Sequence, residues 1–146
     1  MHPSSSQSLP KPSTWLKLDP AFRPTLLIVE DDPSLRKILM KILTTQGYLV
    51  LGAAHGAEAL MQAKISIRPI DLLISDLVLP GIDGKKLARL LGKEFGPLRV
   101  LFISGYSREA LEEKGIRISV PSLLKKPFTA AQLLTRTRNL LGCPLT

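Results

Sequence analysis

This 146-residue sequence lacks the features of a disulfide-bonded or membrane-spanning protein. Cys143 is its only cysteine, so no internal disulfide can form, and we interpret it as a free thiol near the carboxyl terminus. No apolar run approaches the roughly 18–20 residues that cross a bilayer. The amino terminus also lacks the charged-then-apolar pattern of a secretory signal. These absences favour a cytoplasmic protein without a membrane segment.

Aromatic residues are scarce as well, at 5% of the sequence, and this bears on its net charge of +8. A strongly basic balance invites an interpretation as a nucleic-acid-binding protein. The lysines and arginines, however, are scattered singly over the predicted helices and are not interleaved with aromatic side chains. We interpret them as a solvated basic surface and expect no direct nucleic-acid binding, while a basic patch on one face stays open.

The chain divides into two regions of different composition. Residues 1–24 are rich in Ser and Pro and have no periodicity, which predicts a flexible tail or linker. Trp15 and Phe22 are its large anchors, and either docks on the domain or marks where a neighbouring domain was attached. Residues 25–142 have the length and pattern of one domain, and residues 143–146 are predicted to form a short tail.

Strand and helix patterns alternate five times after residue 24. "TLLIV" is a continuous apolar run, typical of a strand covered on both faces. Pro33 suits a first helical turn and Gly47 a helix end, while Thr129 and Gln132 predict a capping box for a last helix that runs to about Leu141. The alternation predicts a doubly wound α/β fold with a parallel sheet and helices on both faces. The apolar residues at helical spacing are Leu35, Ile38, Leu39, Ile42 and Leu43; Ala59, Leu60 and Ala63; and Leu87, Leu90 and Leu91.

Polar residues follow four of the predicted strands, at the points where the apolar runs end. Because the carboxyl ends of parallel strands meet at one edge of a sheet, we expect these side chains to converge. Carboxylates, a hydroxyl and an ammonium gathered there predict a divalent-metal site with a cationic counterpart, suited to phosphoryl transfer. The residues are Glu30, Asp31, Asp32, Asp76, Ser104 and Lys126.

The carboxylates determine which ion we expect. Like charges a few ångströms apart repel strongly, so they persist together only if one is protonated or a cation intervenes. A set of oxygen ligands without His or Cys favours a hard ion such as Mg²⁺. Asp32, before Pro33, also fits a helix N-cap, but that role does not account for Glu30 and Asp76.

The remaining polar positions have separate interpretations. Lys126 supplies a point charge that can neutralise Asp76 or a phosphoryl group attached to it. The bond from Lys126 to Pro127 is a candidate for the cis form, and the Ser104 hydroxyl can bind a phosphoryl oxygen. His55, after the second strand, is interpreted as a loop residue rather than a ligand.

Four segments together resemble the signature segments of response-regulator receiver domains from two-component signalling: "LLIVEDDPSLRKIL", "DLLISDLVLPGIDG", "VLFISGYS" and "LLKKPFT". The resemblance covers about residues 25–142. It implies a flavodoxin-like fold with five strands in the order 2-1-3-4-5. It also implies a phosphoacceptor that receives its phosphoryl group from a histidine kinase or a histidine phosphotransfer protein and then switches its partner interactions. Such a domain is not otherwise an enzyme, although it promotes its own phosphorylation and dephosphorylation.

The resemblance also implies a role for each acidic position. Asp76 would be the phosphoacceptor. Asp31 would bind Mg²⁺ directly, Glu30 through water, and the backbone carbonyl of Val78 would complete the protein's share of the magnesium shell.

The other implied roles concern phosphate pairing and switching. Lys126 would pair with the phosphate, with a cis bond to Pro127, and Ser104 would be the switch hydroxyl. Tyr106 flanks the site at a position that influences dephosphorylation in the family. Leu123 stands where the family usually has a switch aromatic, so switching would need another hydrophobic rearrangement or a weakly conformational output.

Several alternatives stay open for the protein as a whole. A stand-alone receiver, acting through a partner, and a receiver from the end of a hybrid histidine kinase both fit, and the run from "FISGYS" to "PFTAAQLL" favours the second. A phosphorylation-independent pseudo-receiver would be an interaction module, but the complete acidic set and Lys126 argue against it. A haloacid-dehalogenase-like phosphatase would need an Asp where Val78 stands. A homodimer through the face of helix 4, strand 5 and helix 5 is not decided by the sequence.

Overall fold

The computed structural model describes residues 23–142. Residues 1–22 and 143–146, with Trp15, Phe22 and Cys143, lie outside the described residues. Of the predicted amino-terminal tail only residues 23 and 24 are described, and the Pro24 carbonyl accepts a hydrogen bond from Leu49 N (3.0 Å).

Strands and helices alternate along the described part of the chain. They are β1 (Thr25–Val29), α1 (Pro33–Thr45), β2 (Leu49–Ala53), α2 (Gly56–Ile65), β3 (Leu72–Asp76), α3 (Gly84–Phe95), β4 (Arg99–Ser104), α4 (Arg108–Glu113), β5 (Leu123–Lys125) and α5 (Ala130–Leu141). A short 3₁₀ turn, Val120–Ser122, precedes β5. None of the helices in residues 23–142 has both the length and the apolar character needed to cross a bilayer.

The strands form one parallel sheet in the order β2-β1-β3-β4-β5, which confirms the predicted flavodoxin-like fold. Each crossover carries a helix from the end of one strand to the start of the next, so all carboxyl ends lie at one edge. The chain reverses its direction of travel across the sheet between β1 and β3, and in such sheets the crevice at this point is the usual place for a ligand.

Helices cover both faces of the sheet, as the pattern predicted. α1 and α5 pack on one face through Leu39, Leu43 and Leu133, among others, and α2 and α3 pack on the opposite face. Every residue of β1 is buried, because this strand lies inside the sheet and has helices on both sides. A continuous apolar run was therefore the correct signal for this strand.

Two residues of the predicted apolar stripes face solvent instead. The side chain of Ile38 is 55% exposed and that of Leu90 is 37% exposed. Each is adjacent in sequence to a buried leucine, Leu39 or Leu91, and therefore points about 100° away around the helix axis. The sheet covers a narrower arc of α1 and α3 than the sequence spacing indicated.

The segment before the last helix is shaped by proline and by a helix cap. β5 has only three residues, because Pro121 lies in the 3₁₀ turn and cannot donate a backbone hydrogen bond to the sheet. The predicted capping box is confirmed: Gln132 N donates to Thr129 Oγ1 (3.1 Å), and Thr129 N donates to Gln132 Oε1 (2.8 Å). This cap fixes the start of α5 just after Lys126 and Pro127.

Candidate functional site

Three carboxylates meet at the carboxyl edge of the sheet. Glu30 and Asp31 follow β1, and Asp76 ends the neighbouring strand β3; one carboxylate oxygen from each lies within 4.8 Å of the others. Glu30 is 2% exposed and Asp76 5% exposed, whereas Asp31 faces solvent. The cluster therefore has a buried side, formed by two acids, and an open side at Asp31.

An ammonium group enters this cluster from the far end of the sheet. Lys126 Nζ lies 3.1 Å from Asp76 Oδ1 and 3.4 Å from Glu30 Oε1. Lys126 follows β5, and its backbone N donates to the carbonyl of Ser104 at the end of β4 (2.7 Å). The Lys126–Pro127 peptide bond is cis. Side chains that are 96 residues apart in sequence thus form ion pairs at one rim.

Burial and mutual contact shift the ionisation of this group. Burial raises the pKa of Glu30 above its ordinary value, and the neighbouring Asp76 carboxyl raises it further; the Asp32 backbone N–H and Lys126 act in the opposite direction. Burial alone would lower the pKa of Lys126, but pairing with Asp76 and Glu30 more than offsets it and raises that pKa. Lys126 is therefore held as a cation. Its single positive charge is shared by two buried carboxyl groups, Glu30 and Asp76.

The donor atoms present fit a hard divalent cation. Asp76 Oδ1 is buried, and apart from the Lys126 ammonium 3.1 Å away it has no hydrogen-bond donor within residues 23–142. Oxygen atoms from Glu30, Asp31 and Asp76 are close enough to share one ion, and the group contains neither His nor Cys, which suits Mg²⁺. Val78 follows β3 by two residues with a 70% exposed side chain, and a ligand role for its carbonyl stays a prediction.

Two residues that the sequence reasoning missed position these acids. A Cβ atom on Gly84 would lie 2.3 Å from the backbone oxygen of Asp76, so the first turn of α3 can approach the end of β3 only without a side chain. Arg36, on α1, donates from Nη1 to the carbonyl of Glu30 (2.6 Å). In the sequence, the only indication of a special role for Gly84 was its position directly after Asp83, the N-cap residue of α3. Arg36 gave none.

Asp32 and His55 both cap helices. Asp32 Oδ1 accepts hydrogen bonds from Ser34 N (2.9 Å) and Leu35 N (3.5 Å), which confirms its predicted N-cap role in α1. His55 Nδ1 accepts from Glu58 N (3.2 Å) at the start of α2, in agreement with its interpretation as a loop residue. Neither residue belongs to the acidic cluster of the described chain.

The predicted switch positions lie along β4 and β5. Ser104 is buried at the end of β4, and its Oγ accepts a hydrogen bond from Tyr106 N (2.9 Å). Tyr106 is 47% exposed, with the Lys114 ammonium 5.0 Å from the centre of its ring. Leu123 begins β5 and packs in a buried cluster that includes Phe102. The site therefore has an aliphatic residue, Leu123, in β5 and an exposed aromatic residue, Tyr106, just after β4.

Comparison with known proteins agrees with this geometry. The family model for the response regulator receiver domain matches residues 26–138. The sensor kinase CckA of Brucella abortus (strain 2308) is 34% identical over 117 residues, which are 80% of this chain and 12% of CckA. The aerobic respiration control protein ArcA of Escherichia coli (strain K12) is 38% identical over 119 residues, which are 82% of this chain and 49% of ArcA.

The chain thus spans half or less of the length of these curated relatives. A structural neighbour is the CheX-CheY-BeF3-Mg complex of Borrelia burgdorferi, with a TM-score of 0.67 and 26% identity over 80% of this chain and 88% of the other. The family model covers most of the sequence, and the five-stranded parallel fold is that of its structural neighbours. The chain therefore belongs to the response regulator receiver domain family of two-component signalling.

Proposed function

We propose that Asp76 accepts a phosphoryl group from the phosphohistidine of a histidine kinase or a histidine phosphotransfer protein. The observation that carries this proposal is the Lys126 ammonium, 3.1 Å from Asp76 Oδ1, within a cluster of three carboxylates. A buried carboxylate with one fixed cation beside it can receive a negatively charged group that an isolated carboxylate would repel.

The cation partner in this proposal is Mg²⁺, held by Glu30, Asp31, Asp76 and the backbone carbonyl of Val78. Bound Mg²⁺ supplies positive charge that offsets the charge of the phosphoryl oxygens. Asp31 is the exposed member of the set, so it is open to exchange with solvent, while Glu30 is buried. A receiver-family structure that is 26% identical to this chain was solved with BeF3 and Mg, which supports this assignment.

In the transfer step, a carboxylate oxygen of Asp76 attacks phosphorus in line with the scissile P–N bond. The new P–O bond forms as the P–N bond breaks, and the imidazole nitrogen keeps the electron pair and takes a proton from solvent. Lys126 stays beside the site through its ion pairs and balances charge on the phosphoryl oxygens. Burial of Asp76 restricts the access of competing water.

Dephosphorylation and switching use the residues that flank Asp76. Water attacks phosphorus in line with the Asp76 O–P bond, which breaks to restore the Asp76 carboxylate; inorganic phosphate leaves and the proton of the water passes to solvent. Val78 and Tyr106 lie at the opening, and by this reaction the domain limits the lifetime of its own acyl phosphate. The Ser104 hydroxyl, which now accepts from Tyr106 N, turns to donate to a phosphoryl oxygen. This moves the loop after β4 and shifts the population of surface arrangements. With Leu123 at the start of β5, we assign the larger movement to the Tyr106 side of the site.

The phosphodonor needs a surface next to this opening, and α1 supplies one. Ile38 is exposed on α1 and lines a shallow groove of about 350 Å³ together with Lys41, Ile42 and Leu134. α1 begins beside the acidic cluster, and the groove continues along this helix from Ile38 to Gln46. A donor domain seated along the whole of α1 would therefore reach Asp76 with its histidine at the start of the helix. We propose this groove as the contact for the donor protein.

The last part of the proposal concerns the protein in which this receiver unit acts. We propose that the receiver unit comprises residues 25–142, with residues 1–24 as a linker, in a cytoplasmic hybrid histidine kinase. Similarity to the sensor kinase CckA supports this setting over a stand-alone receiver. A homodimer through α4, β5 and α5, and the absence of direct nucleic-acid binding, stay predictions.

The test is phosphorylation by a small phosphodonor in the presence of Mg²⁺, followed by intact-mass measurement. We expect the wild-type chain to gain one phosphoryl group and Asp76→Asn to gain none. Asp71→Asn is the matched control, because Asp71 lies at the opposite end of β3 and should leave labelling unchanged. Labelling that survives in Asp76→Asn would contradict the proposal.

A further inference from the structure

We propose that a cleft between α3 and α4 binds an acidic segment of a partner protein, which inserts one apolar side chain. The cleft has a volume of about 380 Å³ and lies next to the end of β3, since Leu77 and Val78, which follow Asp76, line it. Its floor is formed by Leu77, Leu111 and Ile116, and Lys85 and Lys114 stand on its walls. We call it the α3–α4 cleft.

The floor of the α3–α4 cleft is apolar and fixed. Leu77 and Leu111 are buried in the same hydrophobic cluster, which Ile116 packs against, so the floor does not depend on mobile side chains. At the rim, Val78 and Tyr106 are two large side chains that residues 23–142 leave exposed. An aliphatic or aromatic side chain that enters the cleft removes both rim residues and the floor from water, which is favourable in proportion to the area covered.

The charges around the cleft specify the rest of the partner. Lys85 Nζ donates to the carbonyl of Arg117 (3.2 Å), and the Lys114 ammonium lies over the Tyr106 ring; within residues 23–142 neither forms an ion pair with a carboxylate. Asp83 also lines the cleft, but its carboxylate accepts from Lys86 N (2.7 Å) as the cap of α3. Two ammonium groups beside an apolar floor complement an apolar residue with acidic neighbours. The net charge of +8 also favours the approach of an acidic segment.

One wall of the cleft is connected to the phosphoacceptor site. Tyr106 lines the cleft, and its backbone N donates to Ser104 Oγ (2.9 Å), which holds this wall in place. This step rests on the proposed function: once Asp76 is phosphorylated, the Ser104 hydroxyl turns toward the phosphoryl group and releases Tyr106. We therefore assign the cleft to the unphosphorylated chain, which binds the acidic segment and loses affinity for it on phosphorylation.

The first experiment uses the full ¹⁵N-labelled chain and a five-residue peptide with a central Phe flanked by two Glu on each side. We expect amide shifts around the cleft and a roughly fivefold weaker Kd for the double variant Lys85→Gln, Lys114→Gln, from the loss of two exposed ion pairs. The control is Lys86→Gln, Lys93→Gln, which removes the same charge from exposed positions of α3 outside the cleft. A peptide with Ala in place of Phe should bind more weakly. Shifts scattered over the basic surface, or equal affinity of the two double variants, would overturn the assignment of the cleft.

The second experiment repeats the titration with beryllofluoride and Mg²⁺. We expect loading to weaken peptide binding about fivefold in the wild-type chain. Ser104→Ala lacks the hydroxyl that holds Tyr106, so in this variant we expect the same peptide Kd with and without beryllofluoride. If loading alters the resonances around Asp76 but leaves peptide affinity unchanged, the coupling is wrong. If loading fails altogether, the phosphoacceptor proposal is wrong, while the first experiment still decides whether the cleft binds the peptide.

Discussion

The close approach of α3 to the end of β3 makes Gly84→Ala an informative substitution. The added Cβ would lie 2.3 Å from the Asp76 backbone oxygen and 3.1 Å from the Leu77 Cα. Both are main-chain atoms at the end of β3, so neither can swing aside as the tip of a long side chain would. Gly84 is not among the glycines of positive φ, so the expected strain comes from space alone. The end of β3, which carries Asp76, must therefore shift relative to α3.

Gly92, in the same helix, is the reference for the expected change in the free energy of unfolding. Gly92 lies inside α3, and a Cβ there would meet no atom within 4 Å. Gly92→Ala should therefore stabilise the chain by about 0.5–1 kcal/mol, the ordinary gain from helix propensity. Gly84→Ala carries in addition an overpacking cost of about 1–3 kcal/mol. We expect it to unfold more easily than Gly92→Ala by about that amount.

Two assays separate the outcomes. Urea unfolding gives the difference in free energy between the two alanine variants, and intact-mass measurement with a small phosphodonor gives the rate of phosphorylation. We expect Gly84→Ala to be both less stable and slower to be phosphorylated, because its Asp76 is displaced from Lys126. If Gly84→Ala is as stable as Gly92→Ala and is phosphorylated at the wild-type rate, the steric argument is wrong.

Four further substitutions test the site, the α1 groove and the far end of β3. Lys126→Met should slow phosphorylation from a small phosphodonor by about 100-fold or more, because the fixed cation is lost; a wild-type rate would contradict its role. Asp31→Ala should lose Mg²⁺ affinity in calorimetry while keeping the wild-type far-UV circular dichroism, and retained affinity would place the metal elsewhere. Ile38→Glu should slow phosphotransfer from a protein donor but not from a small phosphodonor, and an equal effect on both would argue against the α1 groove. Burial raises the pKa of Asp71 above its ordinary value of 3.8. Between pH 3.8 and the raised pKa, the folded state therefore binds more protons at Asp71 than the unfolded state does. The contribution of Asp71 to the free energy of unfolding falls as the pH rises through this range. Asp71→Asn should therefore lessen the fall of the urea unfolding midpoint as the pH rises from 3.8 to the raised pKa of Asp71. The same dependence of the midpoint on pH in the variant and the wild type would contradict this.

The general fold could be predicted because its signals are local. "TLLIV" was expected to be a strand covered on both faces, and all five residues of β1 are buried. Strand–helix alternation determines the direction of each strand, and direction alone places strand ends at a common edge. For this reason residues as distant in sequence as Glu30 and Lys126 were expected at one rim, and they lie 3.4 Å apart. The strand order itself was implied by the family resemblance rather than by the local pattern.

Details that depend on how closely two elements approach could not be predicted in this way. Ile38 and Leu90 have the same apolar character as their buried neighbours, and only the arc of each helix that the sheet covers separates them. The importance of Gly84 appears only when α3 is placed against the Asp76 carbonyl. Arg36 reaches back to the Glu30 carbonyl from one turn into α1, a contact that depends on the angle of the helix to the sheet. Such contacts are three-dimensional distances without a periodic signal in the sequence.

The place where the sequence departs from ordinary packing rules is also the place where function is proposed. A buried Glu30 and a buried Asp76 side by side, with Lys126 as the cation that they share, are unfavourable for folding, because burial raises the pKa of Glu30 and Asp76 adds to this. Hydrophobic residues at these positions would avoid the free-energy cost of burying carboxylates, as the apolar residues of β1 do. A fold that keeps such a cluster retains it for a reason other than stability. Under the proposed function, Mg²⁺ supplies the positive charge that this cluster lacks, so we expect the charge imbalance that weakens the fold to favour binding of the ion.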